Sequence, residues 1–253
     1  MESEGKNKMD YELVGTSKVY RNVRLGVRVA IGDNSVIGQP WKKGMPENIV
    51  TIIGDDSYIG NNVTIEAGVK TGDKFTAEDG SRIARNCIFG DLVAIGLNAV
   101  VLEEAKFEGM NRLHALGFVS EYSEIGYGAW MGPQVALFNA PHPKCPKAKF
   151  CERDYAPRIG RFVRIGGGAR TIPGVIIGDY ALIGAGSVVL KPVAEKSVVA
   201  GNPAKVIKSI GELNCWDKAK YGIEHPYDVQ NLPKAPEDLE KRLAELGWRI
   251  KKE

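Results

Sequence analysis

Ile53-Gly54-Asp55-Asp56-Ser57-Tyr58-Ile59-Gly60-Asn61-Asn62-Val63-Thr64-Ile65 decides the fold, because an isoleucine returns at every sixth position, 53, 59 and 65. The count runs on through Thr71, Ala77, Ile83, Phe89, Ile95, Val101, Phe107, Leu113, Val119, Ile125, Met131 and Leu137, and thirteen of these fifteen positions are bulky and apolar. Four residues further on the side chain is mostly small or β-branched, as at Ser57, Val63, Val69, Ser81, Val93 and Ala99. A period of six fits neither the 3.6 of a helix nor the two of a plain strand. It fits a β-solenoid, in which three hexads make one triangular coil and the sixth-position side chains point inward as ladders. Parallel stacking pairs the backbone between coils, and each buried aliphatic contributes roughly 1.5–3 kcal/mol. This stretch alone implies five coils.

Outward from it, the ladder begins near Val19 and continues as Leu25, Ile31 and Ile37. It breaks at Gln39–Asn48, where Pro40, Trp41, Gly44 and Pro46 predict a loop extruded from one corner over residues 39–52. A second, longer interruption spans 139–158, with Pro141, His142, Pro143, Cys145, Pro146, Cys151 and Pro157. Loops of that length inside a compact domain are most often functional or disordered. The ladder returns as Ile159, Ile165, Thr171, Ile177, Ile183 and Val189, giving about eight coils, and is lost from Val198. Residues 1–18 read as a mobile lead-in or a short capping strand, 19–207 as the β-helix, and 208–253 as a capping extension. Within that extension, Pro236 to Trp248 predicts a helix whose Leu239, Leu243 and Leu246 share a face, acting as a cap or a subunit contact.

Composition narrows the function. A net charge of +3 is too small to suggest nucleic acid and compatible with anionic small molecules. The N-terminus carries no apolar signal core and no run reaches membrane-spanning length, so no membrane association and a cytoplasmic location are expected. The cysteines Cys87, Cys145, Cys151 and Cys215 are then expected to be reduced, Cys87 as an inward core residue.

The half from Ile125 to Ile207 closely resembles the hexapeptide-repeat acyltransferases. The resemblance rests on Asn139-Ala140-Pro141-His142-Pro143, Ile165-Gly166-Gly167-Gly168-Ala169, Ile172-Pro173-Gly174-Val175, Ile183-Gly184-Ala185-Gly186-Ser187-Val188-Val189 and Ala200-Gly201-Asn202-Pro203-Ala204-Lys205-Val206-Ile207. Their order looks like the galactoside and maltose acetyltransferase branch, whereas the long N-terminal half is more like acyltransferases of nucleotide-linked amino sugars. The resemblance implies an all-β, left-handed parallel β-helix assembled as a homotrimer and using acetyl-coenzyme A. The hand comes from the family and departs from the usual crossover preference.

It also implies roles. His142 matches the general base, suited to taking a proton from an acceptor near neutral pH; for an amine acceptor it orients rather than deprotonates. His114, just after an inward position, and Asn139 match the acceptor-binding side. Asn111 is an acceptor-binding candidate too, although its inward small-residue slot suits capping a turn. Gly167, Ala185 and Leu190 match the path of the pantetheine arm, where small side chains permit close approach. Lys205 and Lys208 match positions that meet coenzyme A phosphates. One further arrangement is open: His142, Cys145, Cys151 and Cys215 could hold zinc tetrahedrally, which would remove His142 from duty as a base. The spacing matches no standard finger.

The function expected is transfer of an acetyl group from acetyl-coenzyme A to an amino sugar, nucleotide-linked, in surface polysaccharide or glycan synthesis. O-acetylation of a sugar or small xenobiotic hydroxyl is the runner-up. A carbonic anhydrase of this fold needs three histidines at one boundary, and the chain has only His114, His142 and His225. A non-catalytic scaffold would explain the repeats but not the His142 loop.

Overall fold

The computed structural model describes residues 11–43, 49–142, 146, 154–215, 218–222, 227 and 229–248. The sixth-position residues do form inward ladders. Ile59, Ile65, Ile83, Ile95, Leu113, Ile125 and Met131 are all fully buried in one continuous core. Each follows one outward residue in a strand of two or three residues, so a coil alternates very short strands with sharp turns. The turns use left-handed backbone at Asn34, Asn62, Asn86 and Asn98, where a short amide side chain tolerates positive φ.

Three parallel sheets form the faces of the prism. The first runs from Ser17–Tyr20 through Val36–Gln39 and Phe118–Val119 to Val188–Val189. The second runs from Val23–Leu25 through Lys106–Phe107 to Ile176–Ile177, and the third from Ala30–Ile31 through Arg112–Leu113 to Leu182–Ile183 and Ser197–Gly201. Register follows the eighteen-residue coil: Leu113 lies beside Met131, and Val101 beside Val119.

There are nine coils, one more than the spacing predicts. The extra one is hidden because its spacing shortens. Val189 is followed inward by Val193, which bridges to Ile177, and then by Val199 beside Ile183. At the opposite end Leu25 is 39% exposed rather than buried, because no coil lies beneath it. Small ladder positions are filled from their neighbours. Phe75 is buried close to Ala77, and its ring packs 5.1 Å from Phe89, which lies 5.1 Å from Phe107.

Both ends carry antiparallel hairpins. Tyr11–Val14 pairs with Ser17–Tyr20, which makes it a capping strand, and Ser197–Gly201 pairs with Ala204–Ser209. The predicted C-terminal helix forms over Leu239–Glu245 but does not cap an end. It lies back along the flank. Leu239, Leu243 and Trp248 pack on Ile88 and Tyr127, Arg242 pairs with Asp91, and Lys106 stands 5.6 Å from the Trp248 ring centre. Gly247, at φ +92°, ends the helix. Its N–H donates to the Ala244 carbonyl and that of Trp248 to the Leu243 carbonyl, each at 2.9 Å, closing the last turn while Trp248 folds over Leu243.

Candidate functional site

Both loops leave the prism at the same corner, between the first and second sheets. The earlier one is pinned by Trp41, whose ring lies 5.3 Å from the Arg85 guanidinium, itself paired with Glu103. Burial, and then the surrounding carboxylates against the pull of Arg85, hold Glu103 above the ordinary glutamate value. The later loop begins at Asn139, which is 5% exposed and donates through Nδ2 to the Glu121 carbonyl at 3.3 Å. His142 follows and is exposed. Cys145 and Cys151, with His225, lie outside the described residues, so the zinc arrangement falls outside them too. Among the described residues no group of three His, Cys, Asp or Glu side chains could hold a metal.

Leu190, expected along the donor path, stands at this same edge. It is stacked in register over Ile172 and Phe138, and the three form an exposed apolar stripe beside the Asn139–His142 segment. The other donor-side candidates lie elsewhere. Gly167 and Ala185 are one above the other at the corner between the third and first sheets. Lys205 and Lys208 belong to the terminal strand Ala204–Ser209. The close approach there falls on Gly166 rather than Gly167. A Cβ on Gly166 would lie 2.4 Å from the Ala185 nitrogen, whereas one on Gly167 would keep 3.2 Å from its nearest neighbour, the Pro133 carbonyl oxygen.

Asn111 takes the internal one of its two readings. It is 2% exposed, accepts from the Gly109 N–H at 3.0 Å and donates to the Gly126 carbonyl at 2.7 Å. An inward amide satisfied at both ends is a turn brace and not a contact for an acceptor.

His114 points outward from the third sheet. Its ring meets the Trp130 indole edge to face at 4.8 Å between centres. Partial burial, and then the adjacent Arg112 cation, push it below the ordinary histidine value, with Glu78 pulling the other way. Arg112 is held by Glu78 at 2.6 Å. Sequence reasoning passed over Trp130, Arg112 and Arg164. The signal available was position, since each is the outward residue just before an inward aliphatic and directly above the last.

The repeats match two family profiles, a bacterial transferase hexapeptide (six repeats) over residues 156–191 and the hexapeptide repeat of succinyl-transferase over residues 50–81. Over these stretches the chain is similar to the hexapeptide-repeat acyltransferases. Among the proteins it is similar to is a Saccharomyces cerevisiae protein named provisionally as an acetyltransferase, 36% identical over 129 residues, which are 50% of this chain and 58% of that one. The galactoside O-acetyltransferase of Escherichia coli is 37% identical over 109 residues, 42% of this chain and 52% of that one. The chain thus spans little more than half the length of these relatives. Among solved structures, that of PerB from Caulobacter crescentus in complex with CoA and GDP-perosamine is similar at 22% identity and a TM-score of 0.33, over 54% of this chain and 56% of that one. No helix among the described residues is long and apolar enough to cross a membrane.

Proposed function

We propose that this protein is an acetyl-coenzyme A dependent acetyltransferase acting on an amino sugar, nucleotide-linked, and that it forms the amide on the sugar nitrogen. The observation that carries the reading is the pairing of an exposed imidazole, His142, at one edge of the first sheet with the flat Gly167–Ala185 strip at the other. One copy holds these halves apart by the width of a sheet. A complete site then combines the loop of one copy with the strip of another, in keeping with a homotrimer.

The chemistry assigned to these residues is acyl transfer from a thioester. The acceptor nitrogen attacks the acetyl carbonyl, the carbon–sulfur bond breaks, and the thiol of coenzyme A leaves. His142 holds and orients the acceptor, and the proton released by its nitrogen passes to the departing sulfur. The arm of the donor lies along Gly167 and Ala185, with Lys205 and Lys208 available to its phosphates. His114, outward against Trp130, and Asn139 line the acceptor side.

A second reading is favoured by the similarity to the galactoside O-acetyltransferase: a sugar hydroxyl as acceptor. Release of free thiol from acetyl-coenzyme A, measured against amino sugars, their nucleotide conjugates and simple galactosides, separates the two. His142→Ala sharpens the comparison. Loss of roughly 10²–10⁴-fold in kcat fits a hydroxyl that needs a base, and a loss below tenfold fits an amine. No thiol release with any acceptor would end both readings.

A further inference from the structure

We infer that Trp130 and Arg164 form the seat for the base and diphosphate of a nucleotide on the outer face of the third sheet. Trp130 and Arg164 are register partners in adjacent coils, with Arg112 the partner of Trp130 on its other side. Neighbouring rungs of a sheet lie about 4.8 Å apart, so the indole sits between two guanidinium stems. Trp130 is 37% exposed, and its one ring contact among the described residues is His114. An indole on the outer face adds nothing to the inward ladder. The same column carries Thr76, Ala94 and Leu182 in other coils.

Arg164 supplies the charge. Four arginines are half-buried among the described residues: Arg85, Arg112, Arg161 and Arg164. Three have a carboxylate partner, Glu103, Glu78 and Glu108 respectively. Arg164 has none among the described residues. Its Nη1 donates to the Gly128 carbonyl at 2.6 Å and more weakly to the Val163 carbonyl at 3.3 Å, and Tyr227 of the C-terminal extension lies within electrostatic reach of the guanidinium. Burying a cation without a counter-charge is costly, and that cost is relieved by an anion from outside. The donors left over form a planar fork, the shape that suits phosphate oxygens.

The second outward column beside these residues is glycine, Gly132 next to Trp130 and Gly166 next to Arg164, so a flat ring can lie against the indole. An aromatic wall, a guanidinium without a carboxylate partner among the described residues and a backbone floor together fit a base that carries phosphate. Both a nucleotide-linked acceptor and coenzyme A have that chemistry. The seat is assigned to the acceptor because His114, placed on the acceptor side above, stands against the same indole. This assignment rests on the acetyltransfer reading above.

Calorimetric titration of the full chain with uridine diphosphate, guanosine diphosphate and coenzyme A tests it, on wild type, Trp130→Ala, Trp130→Phe and Arg164→Gln. Trp130→Ala is expected to raise Kd for one of the two diphosphates roughly tenfold or more, and Trp130→Phe to restore most of the affinity. Arg164→Gln is expected to weaken it comparably and to flatten its salt dependence. Weakened coenzyme A alone moves the seat to the donor and overturns its assignment to the acceptor. Unchanged affinities for all three in Trp130→Ala, or no binding of either diphosphate at millimolar concentration with coenzyme A indifferent to both residues, overturn the seat itself. Trp130 is outward, so its variants decide the matter even where Arg164→Gln folds poorly. Thiol release is measured in parallel. If no acceptor supports it while a diphosphate still binds through Trp130, the acetyltransfer reading falls and the seat stands.

Discussion

The imidazole of His114 stands edge to face against the indole of Trp130, 4.8 Å between ring centres, on the exposed face of a sheet. The contact takes water from the imidazole, and loss of water is the main cause holding it below the ordinary histidine value. Trp130→Ala is therefore expected to move the His114 midpoint upward, read from the imidazole proton shifts in a nuclear magnetic resonance pH titration. A midpoint that stays or falls would show that Arg112, and not burial, governs it.

The same shift sets a direction for stability. Folded His114 binds its proton less readily than the unfolded chain, so between the depressed folded value and the unfolded value of about 6.5 the unfolded state carries more protons. Its contribution is fully present above that unfolded value and is lost as pH falls through the folded one. Urea midpoints measured across this interval should rise with pH more steeply in wild type than in His114→Gln.

Ile125 lies between Phe107 and Ile159 in the ladder and is fully buried. Ile125→Asp places an unpaired carboxylate there and is expected to abolish soluble protein. Ile125→Ala should cost about 2–5 kcal/mol in denaturant unfolding. Soluble, cooperatively folding Ile125→Asp would refute the inward assignment.

Gly166 and Gly186 separate two reasons for glycine. At Gly166 a Cβ meets the Ala185 backbone at 2.4 Å, which cannot yield without shifting a coil. At Gly186 a Cβ meets nothing within 4 Å, but φ is +67°, so only left-handed strain opposes it. Gly186→Ala is expected to cost about 1–2 kcal/mol and Gly166→Ala distinctly more. Equal thermal shifts would sink the distinction.

Leu243 is fully buried under the C-terminal helix, against the flank and not against an end of the rod. Leu243→Ala should release the helix locally, seen as faster amide exchange over 239–248 while exchange in the ladder from Ile83 to Leu137 is unchanged. Accelerated exchange in both would mean that the helix and the rod unfold together.

Much of the fold was legible because one physical rule repeats. An inward aliphatic every six residues specifies the ladder, its register and the two loops where the count fails. The ninth coil was not legible, since Val189 to Val193 shortens the step and only the bridge from Val193 to Ile177 restores it. The candidate site residues were legible where they lay in short motifs, around His142, Gly167 and Ala185. They were not legible at Trp130 and Arg164, which are 34 residues apart and carry no motif.

By itself, then, the sequence determined the solenoid, its inward residues and its corners, because a local period dictates which side chains must leave water. Tertiary structure alone decided what stacks across the loop insertions. It set Ile172 and Leu190 over Phe138 across the second loop, beside the His142 segment. It laid the helix along the flank, and it brought His114, Trp130 and Arg164 to one face. Those relationships depend on rungs meeting through space, with loop insertions changing the sequence distance between neighbours and leaving the spacing of the rungs untouched.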